Sequence, residues 1–207
     1  KLNKIDFSYD KSDFLFRNLT ISISPGQLFC ISGSNGDGKT TLSKILMGIL
    51  EPSAGEVLID GTNLNKLSLK WWKKQIAYIP QNPDILNSSV MDNILLGNDK
   101  LNEQEVSRLL QTVGLDKKLK KTSLTILDPV DDNLSKGVKK KIHYARALAQ
   151  NPHIFIIDDP MGYLDNEGVQ IVNKIIESLK RANKTIILFS DNNILSNIID
   201  KNITIGN

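Results

Sequence analysis

The stretch Gly33-Ser-Asn-Gly-Asp-Gly-Lys-Thr-Thr41 decides the fold of this 207-residue chain. It fits the phosphate-loop pattern G-x-x-x-x-G-K-[ST]. An apolar, strand-like run over residues 27–32 precedes it, and a helix-like run over 41–47 follows. In that setting the glycines turn successive N–H groups toward phosphate oxygens at the positive end of a helix dipole. The sequence therefore predicts a nucleotide site; the alternative is a glycine-rich turn with an accidental lysine.

Within this loop we expect Lys39 to reach the β- and γ-phosphates and the Thr40 hydroxyl to bind Mg²⁺. Asp37 is an unusual acid in such a loop, at a position that tolerates various residues. The residues predicted to contact ATP here are Gly33, Ser34, Asn35, Gly36, Asp37, Gly38, Lys39, Thr40 and Thr41.

Composition narrows the function class. The chain carries 26 Lys and Arg against 23 Asp and Glu, a net charge of +3, which is too mild to argue for a nucleic-acid partner. The single cysteine, Cys30, excludes an internal disulfide and favours a reducing compartment. No apolar run approaches the ~20 residues that span a bilayer, and no secretory signal precedes the first strand. Because the chain opens on strand-like sequence, we expect a domain cut from a longer polypeptide.

The order of elements predicts the architecture. Apolar strands at 27–32, 76–80, 154–157 and 185–189 alternate with helical stretches, which favours a buried, mostly parallel sheet. The segment 82–135 is predicted to be a helical insertion, with one helix opening at the capping sequence that starts at Asn102. Trp71 and Trp72 are interpreted as helix packing rather than as an interface.

Two acids follow the apolar strand 154–157. Asp158, at the strand tip, can hold Mg²⁺ through its water shell once paired with a phosphate loop. Asp159 can polarise an attacking water as a general base, with a solvated turn residue before Pro160 as the alternative.

A third element begins at Leu134-Ser-Lys-Gly-Val138. Ser135 is predicted to cap the following helix, which leaves the Gly137 N–H near a helix start that can bind an anion. The four lysines there are expected to form a solvated face that strengthens the positive field; they are Lys136, Lys139, Lys140 and Lys141.

Two residues elsewhere complete the candidate site. Gln81, after the strand 76–80, can place an amide oxygen on a metal, with polar surface as the alternative. Tyr9 can stack on a purine ring, with packing at a strand end as the alternative.

Together these residues resemble the nucleotide-binding domain of an ABC transporter over almost the whole chain. Gly33–Thr41 is similar to the Walker A loop, Ile154–Asp158 to Walker B, and Leu134–Val138 lies where the family has its LSGGQ signature. Tyr9 resembles the adenine-stacking aromatic, Gln81 the Q-loop glutamine, and Asp165 the D-loop acid. The stretches around Asp60-Gly61, Gln75-Ile76 and Ser89–Ile94 are similar to exporter-type domains.

The resemblance implies a fold and a set of partners. The fold is α/β, with a P-loop NTPase core, a mostly parallel sheet, an antiparallel β subdomain and a helical insertion subdomain at about 82–135, all in one domain over 1–207. The implied ligands are ATP and Mg²⁺, with metal contacts from Thr40, Gln81 and Asp158. The implied partners are a membrane-spanning domain and a second nucleotide-binding domain, whose ATP would meet Ser135 and Gly137; no nucleic acid is implied. The implied location is the cytoplasmic face of a membrane.

The departures from the family pattern concern catalysis. The resemblance assigns catalytic roles to Lys39, Gln81 and the position of the catalytic glutamate, which is Asp159 here. Asp191 lies where the family has its switch histidine, and an ionised acid cannot donate a hydrogen bond to a phosphate. Lys136 and Val138 replace a glycine and a glutamine of the signature, and 128–133 does not resemble the usual coupling loop. We therefore expect ATP binding with slow hydrolysis.

Other functions stay open at this point. The chain could be the degenerate half of a heterodimeric transporter, a nucleotide sensor that never hydrolyses, or a soluble ABC-type ATPase acting on ribosomes or DNA. A small-molecule kinase would leave Gln81 and the Leu134–Val138 element without a role.

Overall fold

The computed structural model describes residues 1–10, 13–96, 101–116, 134–190 and 195–206. The strands, in chain order, are β1 Leu2–Ser8, β2 Phe14–Ile21, β3 Leu28–Ser32, β4 Ala54–Ile59, β5 Thr62–Asn63, β6 Ile76–Ile79, β7 Ile154–Asp158, β8 Thr185–Phe189 and β9 Lys201–Thr204. The α-helices are α1 Lys39–Leu46, α2 Leu69–Lys74, α3 Val90–Leu95, α4 Glu103–Thr112, α5 Lys136–Gln150 and α6 Asn166–Arg181. A short 3₁₀ turn covers Leu64–Lys66.

A five-stranded parallel sheet forms the centre of the fold, in the order β6-β7-β8-β3-β9. Its strands are apolar on both faces because each face is covered. In β3, for example, Leu28 and Cys30 face one hydrophobic cluster, whereas Phe29 and Ile31 face the other. This arrangement confirms the prediction of a buried, parallel sheet from continuous apolar strands.

A four-stranded antiparallel sheet, in the order β2-β1-β4-β5, packs with α1 on one face of the central sheet. The antiparallel β subdomain is therefore present as expected. Trp72 of α2 is buried here, and its indole N–H donates to the Leu46 carbonyl at 3.0 Å. Trp71 is 48% exposed, so the packing interpretation is wrong for that residue: successive helix positions point about 100° apart, and only one side of this short helix faces the core.

The opposite face of the sheet carries α3, α4, α5 and α6 in the second cluster. α3 and α4 are separate helices within the predicted insertion, and both pack against α5. Asn102 caps α4 in a reciprocal capping box with Glu105, which confirms the predicted helix start. Of the insertion, residues 97–100 and 117–133 lie outside the described residues, and with them the atypical segment 128–133. Within the described ranges, no helix is both long and apolar enough to cross a membrane.

Candidate functional site

The phosphate loop joins the carboxyl end of β3 to the start of α1. Gly36 and Gly38 have φ values of 100° and 91°, and these left-handed conformations curl the backbone between strand and helix. At Gly38 a side chain would also collide with Phe16, because its Cβ would lie 2.5 Å from the ring. No side chain caps α1, so the helix start faces the loop with backbone N–H groups.

Two charged side chains of the loop bond to the loop itself. The Lys39 ammonium donates to the carbonyls of Gly33 and Ser34, the latter at 3.1 Å. The Asp37 carboxylate accepts the Ser34 N–H at 2.5 Å and lies beside Gly206, after β9. Asp37 therefore stabilises the backbone conformation of the loop on the side that faces Gly206.

Asp158 meets the loop at the carboxyl end of β7. The Thr40 hydroxyl donates to the Asp158 carboxylate at 2.9 Å. Asp158 is 3% exposed, and burial raises the pKa of its carboxyl, against the hydrogen bond from Thr40 and the positive charge of Lys140. A hydroxyl and one carboxylate are the hard oxygen donors that Mg²⁺ takes from a protein when phosphates supply further ligands. The described residues contain no group of three or more His, Cys, Asp or Glu that could hold a metal ion.

A cavity of about 670 Å³ lies over this loop. It brings together most of the predicted site residues, from four separate parts of the chain. Its lining comprises Tyr9, Leu15, Ser34, Asn35, Gly36, Gly38, Lys39, Thr40, Thr41, Gln81, Asp158, Asp159, Phe189 and Ser190. Of the predicted loop contacts, Gly33 and Asp37 are outside that lining. Leu15 and Phe189 also line the cavity but were not predicted from the sequence, because each looks like an ordinary apolar strand residue.

Tyr9 stands at the mouth of the cavity. Its side chain is 69% exposed, so packing accounts for only part of the ring surface. The ring meets Phe7 edge-on at 4.9 Å, and its hydroxyl is 2.8 Å from the Thr41 hydroxyl. A ring with this exposure, anchored by one aromatic contact and by its hydroxyl, leaves surface on which a base can stack.

Asp159 is half-buried at the cavity wall, in a left-handed conformation with φ of 48°. Its N–H donates to the Phe189 carbonyl at 2.9 Å, and its carbonyl accepts the Gly162 N–H at 3.2 Å. The carboxylate lies against Gly162, where an added Cβ would be 2.2 Å from the nearer oxygen. The backbone of Asp159 is therefore held at the cavity wall, and its side chain is only partly exposed.

The signature residues lie away from this cavity. Ser135 caps α5 by accepting the Val138 N–H at 3.3 Å, as predicted. Neither Ser135 nor Gly137 lines the cavity that holds Lys39. Lys136 lies over the Tyr163 ring, 4.6 Å from its centroid, and the Tyr163 hydroxyl donates to Asn82 at 2.7 Å.

The expectation of a solvated lysine face is wrong for two of the four lysines. Lys140 is fully buried, and its ammonium donates to the carbonyls of Pro80 at 2.7 Å and Asp158 at 2.9 Å. Lys141 is 3% exposed and donates to the Gly114 carbonyl at 3.4 Å. Burial lowers the pKa of Lys140 to about 8, while Asp159 and Asp158 act in the opposite direction. The ends of β6 and β7 cover Lys140, and the segment after α4 covers Lys141; the local charge pattern did not reveal either contact.

Further polar groups on α5 are buried as well. The Tyr144 hydroxyl donates to the Pro160 carbonyl at 3.0 Å, and burial, with the charge of Asp159, raises its pKa well above the ordinary value. Burial lowers the pKa of His143 to about 4; its Nε2–H donates to the Asp84 carbonyl at 2.7 Å. Asp165 caps α6 through the Gly168 N–H at 2.8 Å. Asp191, the predicted switch position, lies outside the described residues.

The family model for the ABC transporter family matches residues 16–162. This match covers more than half of the chain, so the chain belongs to the ABC transporter family. It corresponds to the ATP-binding domain of that family, whose members are in general ATPases.

Individual relatives agree with this assignment. The chain is 34% identical over 199 residues to the energy-coupling factor transporter ATP-binding protein EcfA1 of Mesomycoplasma hyopneumoniae, covering 93% of this chain and 72% of that protein. It is 34% identical over 187 residues to ABC transporter B family member 26, chloroplastic, of Arabidopsis thaliana, covering 87% of this chain and 26% of that protein. It is 29% identical over 205 residues to the probable microcin-H47 secretion/processing ATP-binding protein MchF of Escherichia coli, covering 97% of this chain.

One solved structure establishes the likeness of fold. A bacterial Atm1-family ABC exporter with ATP bound superposes with a TM-score of 0.90 at 23% identity, over 99% of this chain and 36% of that one. Many of the relatives are much longer than this chain, which spans between 15% and 29% of the length of six of them.

Proposed function

We propose that this chain is the ATP-driven domain of an exporter, and that it couples ATP binding and slow hydrolysis to movement of a substrate across a membrane. One observation carries the proposal. A single cavity joins the phosphate loop to Gln81, Asp158 and Asp159, the groups that a phosphoryl-transfer site needs.

The base and the phosphates of the nucleotide would bind at different ends of the cavity. The exposed face of Tyr9 would stack on the adenine, and the N–H groups of the loop would receive the phosphates. The Lys39 ammonium would exchange the carbonyls of Gly33 and Ser34 for phosphate oxygens. Because these carbonyls are neutral, an anionic partner gives the ammonium stronger hydrogen bonds.

Thr40, Asp158 and Gln81 would hold Mg²⁺. When bound, the ion supplies a positive charge that neutralises the β- and γ-phosphate oxygens. The Thr40 hydroxyl and an Asp158 carboxylate oxygen are already 2.9 Å apart, so they lie close enough to share one ion.

Asp159 would act on the attacking water by accepting its proton. Its side chain is one methylene shorter than the glutamate usual at this position in the family, so the water would be held less well. Turnover is therefore expected to be slow.

A second copy or a related domain would complete the site. Ser135 and Gly137 lie outside the cavity, at the start of α5, and would meet the γ-phosphate of a nucleotide held by a partner domain. Nucleotide binding and dimer formation would then be thermodynamically linked. A membrane-spanning domain, fused or separate, would receive the movement, which places the chain at the cytoplasmic face of a membrane.

A second candidate rests on Asp159 and Lys136, which depart from the family at the water-activating position and in the signature. On this view the chain is the mainly ATP-binding half of a heterodimeric transporter. It predicts that turnover rises only when a competent partner domain is added.

Calorimetric titration of the chain with ATP and Mg²⁺ tests the proposal. Lys39→Ala removes a charge-assisted hydrogen bond of about 1.5–3 kcal/mol, so the dissociation constant should rise on the order of 10- to 100-fold. Lys44→Ala, at an exposed position of the same helix, is the matched control. Equal affinities for Lys39→Ala and the unmodified chain would contradict the proposed site. Co-purification of the full transporter from membranes tests the membrane partner.

A further inference from the structure

Helix α5 carries two polar side chains that are buried beneath the segment 158–160, which contributes Asp158 and Asp159 to the cavity. Lys140 and Tyr144 are four residues apart, so they share one face of the helix. Lys140 is 0% exposed and Tyr144 is 1% exposed. Both hydrogen-bond to backbone carbonyls of segments that carry site residues.

Lys140 joins two adjacent strands just past the end of their hydrogen-bonded ladder. The last paired residues of β6 and β7 are Ile79 and Ile157. The next carbonyl on each strand, of Pro80 and Asp158, accepts from the same ammonium, at 2.7 and 2.9 Å. The side chain therefore continues the connection between the strands by one residue, at the edge where the cavity begins.

The two connected segments carry the polar groups of the site. Gln81 follows Pro80 directly, and Asp159 follows Asp158. Tyr144 holds the Pro160 carbonyl on the other side of Asp159, at 3.0 Å. Two side chains of α5 thus set the backbone on both sides of Asp159 and immediately before Gln81.

Stability alone does not account for a lysine at this position. Burying an ammonium is unfavourable even when it is hydrogen-bonded, and an apolar side chain of similar volume is often at least as stable. Lys141, the next residue, is also buried, but it bonds to Gly114 at the end of α4, away from the cavity. The difference between the two lysines is the pair of strands that Lys140 connects.

We propose that Lys140 is a positioning residue, whose two hydrogen bonds set the placement of Gln81 and Asp158 for the magnesium–nucleotide complex. Tyr144 supports the same turn from one helical turn further along. The inference rests on the proposed function, because it requires that the cavity bind ATP with Mg²⁺.

The test measures the dissociation constant of a fluorescent ATP analogue with EDTA and with Mg²⁺. The readout is the ratio of the EDTA value to the Mg²⁺ value, which is larger when Mg²⁺ strengthens binding more. Lys140→Met keeps most of the length and volume but removes both hydrogen bonds and the charge. Lys140→Gln removes the charge but retains an amide donor, one atom nearer the backbone, that can keep part of the hydrogen bonding. Lys141→Met is the control for losing a buried lysine from the same helix.

A positioning role and a purely electrostatic role of Lys140 predict changes of opposite sign in this ratio. Removing a nearby positive charge should by itself strengthen Mg²⁺ binding at Asp158, which raises the ratio. If the hydrogen bonds position the site, Lys140→Met lowers the ratio at least about five-fold, the equivalent of one net hydrogen bond. Lys140→Gln then recovers part of the ratio, and Lys141→Met leaves it unchanged.

The result that overturns the inference is a ratio in Lys140→Met that stays unchanged or rises, or one that falls equally in Lys140→Gln. If Lys140→Met does not fold, Tyr144→Phe decides. Removing that hydroxyl should lower the ratio about two-fold, and an unchanged ratio counts against the inference. An unmodified chain that shows no Mg²⁺-dependent ATP binding refutes the proposed function itself, and the inference with it; normal binding with no effect of these variants refutes the inference alone.

Discussion

Replacing Asp159 by Glu should accelerate ATP hydrolysis by this chain. The carboxylate of Asp159 cannot move forward to compensate for its short side chain, because the backbone on both sides is held. Its N–H is bonded to Phe189 at 2.9 Å and its carbonyl to the Gly162 N–H at 3.2 Å. The added methylene of Asp159→Glu extends the carboxylate into the cavity, where the attacking water would lie.

The magnitude follows from the length of that methylene. It advances the carboxylate by roughly 1 Å, and a misplacement of ~1 Å at a catalytic group can cost ~100-fold in rate. We therefore expect kcat to rise between about 10- and 100-fold, or about 1.4–2.7 kcal/mol of barrier. ATP affinity should change little, because Asp159 is not part of the phosphate loop.

The assay is phosphate release at saturating ATP and Mg²⁺, over a range of protein concentrations because the proposed complete site needs two domains. Asp60→Glu is the matched control, since Asp60 is exposed, lies outside the cavity and has the same φ of 48°. Asp159→Asn should abolish turnover while ATP still binds. The reasoning is refuted if Asp159→Glu leaves kcat unchanged while Asp159→Asn abolishes it, because the aspartate would then already be well placed.

Three further predictions concern binding and stability. Tyr9→Ala should weaken ATP binding by about 1–3 kcal/mol through lost stacking, whereas Tyr9→Phe should retain most of the affinity in fluorescence titrations; equal losses would argue against a stacked base. His143 has a folded-state pKa of about 4, below its unfolded value near 6.5, so its contribution to stability is intact above pH ~6.5 and is lost as the pH falls toward 4, by up to about 3 kcal/mol. Urea denaturation between pH 7 and 4.5 should therefore show a flatter pH profile for His143→Gln, and parallel profiles would contradict this. Asn102→Ala should lower the free energy of unfolding by about 1 kcal/mol through loss of the α4 cap, whereas exposed Glu103→Ala should have a smaller effect in the same denaturation curves.

The elements of the fold could be predicted where local sequence and tertiary environment agree. The strands 154–157 and 185–189 are apolar throughout because both faces of the central sheet are covered, and the structure places them within one residue of the prediction. The caps at Asn102 and Ser135 were predictable because capping depends on residues three positions apart. The sequence did not show which of Trp71 and Trp72 is buried, because that depends on which side of α2 packs against the core.

The sequence by itself determined which residues meet at the centre of the cavity. Lys39, Thr40 and Asp158 were identified from a loop, a strand and their order, since each motif specifies its own backbone geometry. Tertiary structure alone decided how α5 meets the cavity. The lysines 139–141 look alike in sequence, yet Lys140 lies beneath Asp158, Lys141 reaches Gly114, and the difference arises from the packing of α5 against strands distant in the chain. Local patterns encode local geometry, whereas the environment of a helix face depends on which segments the fold brings against it.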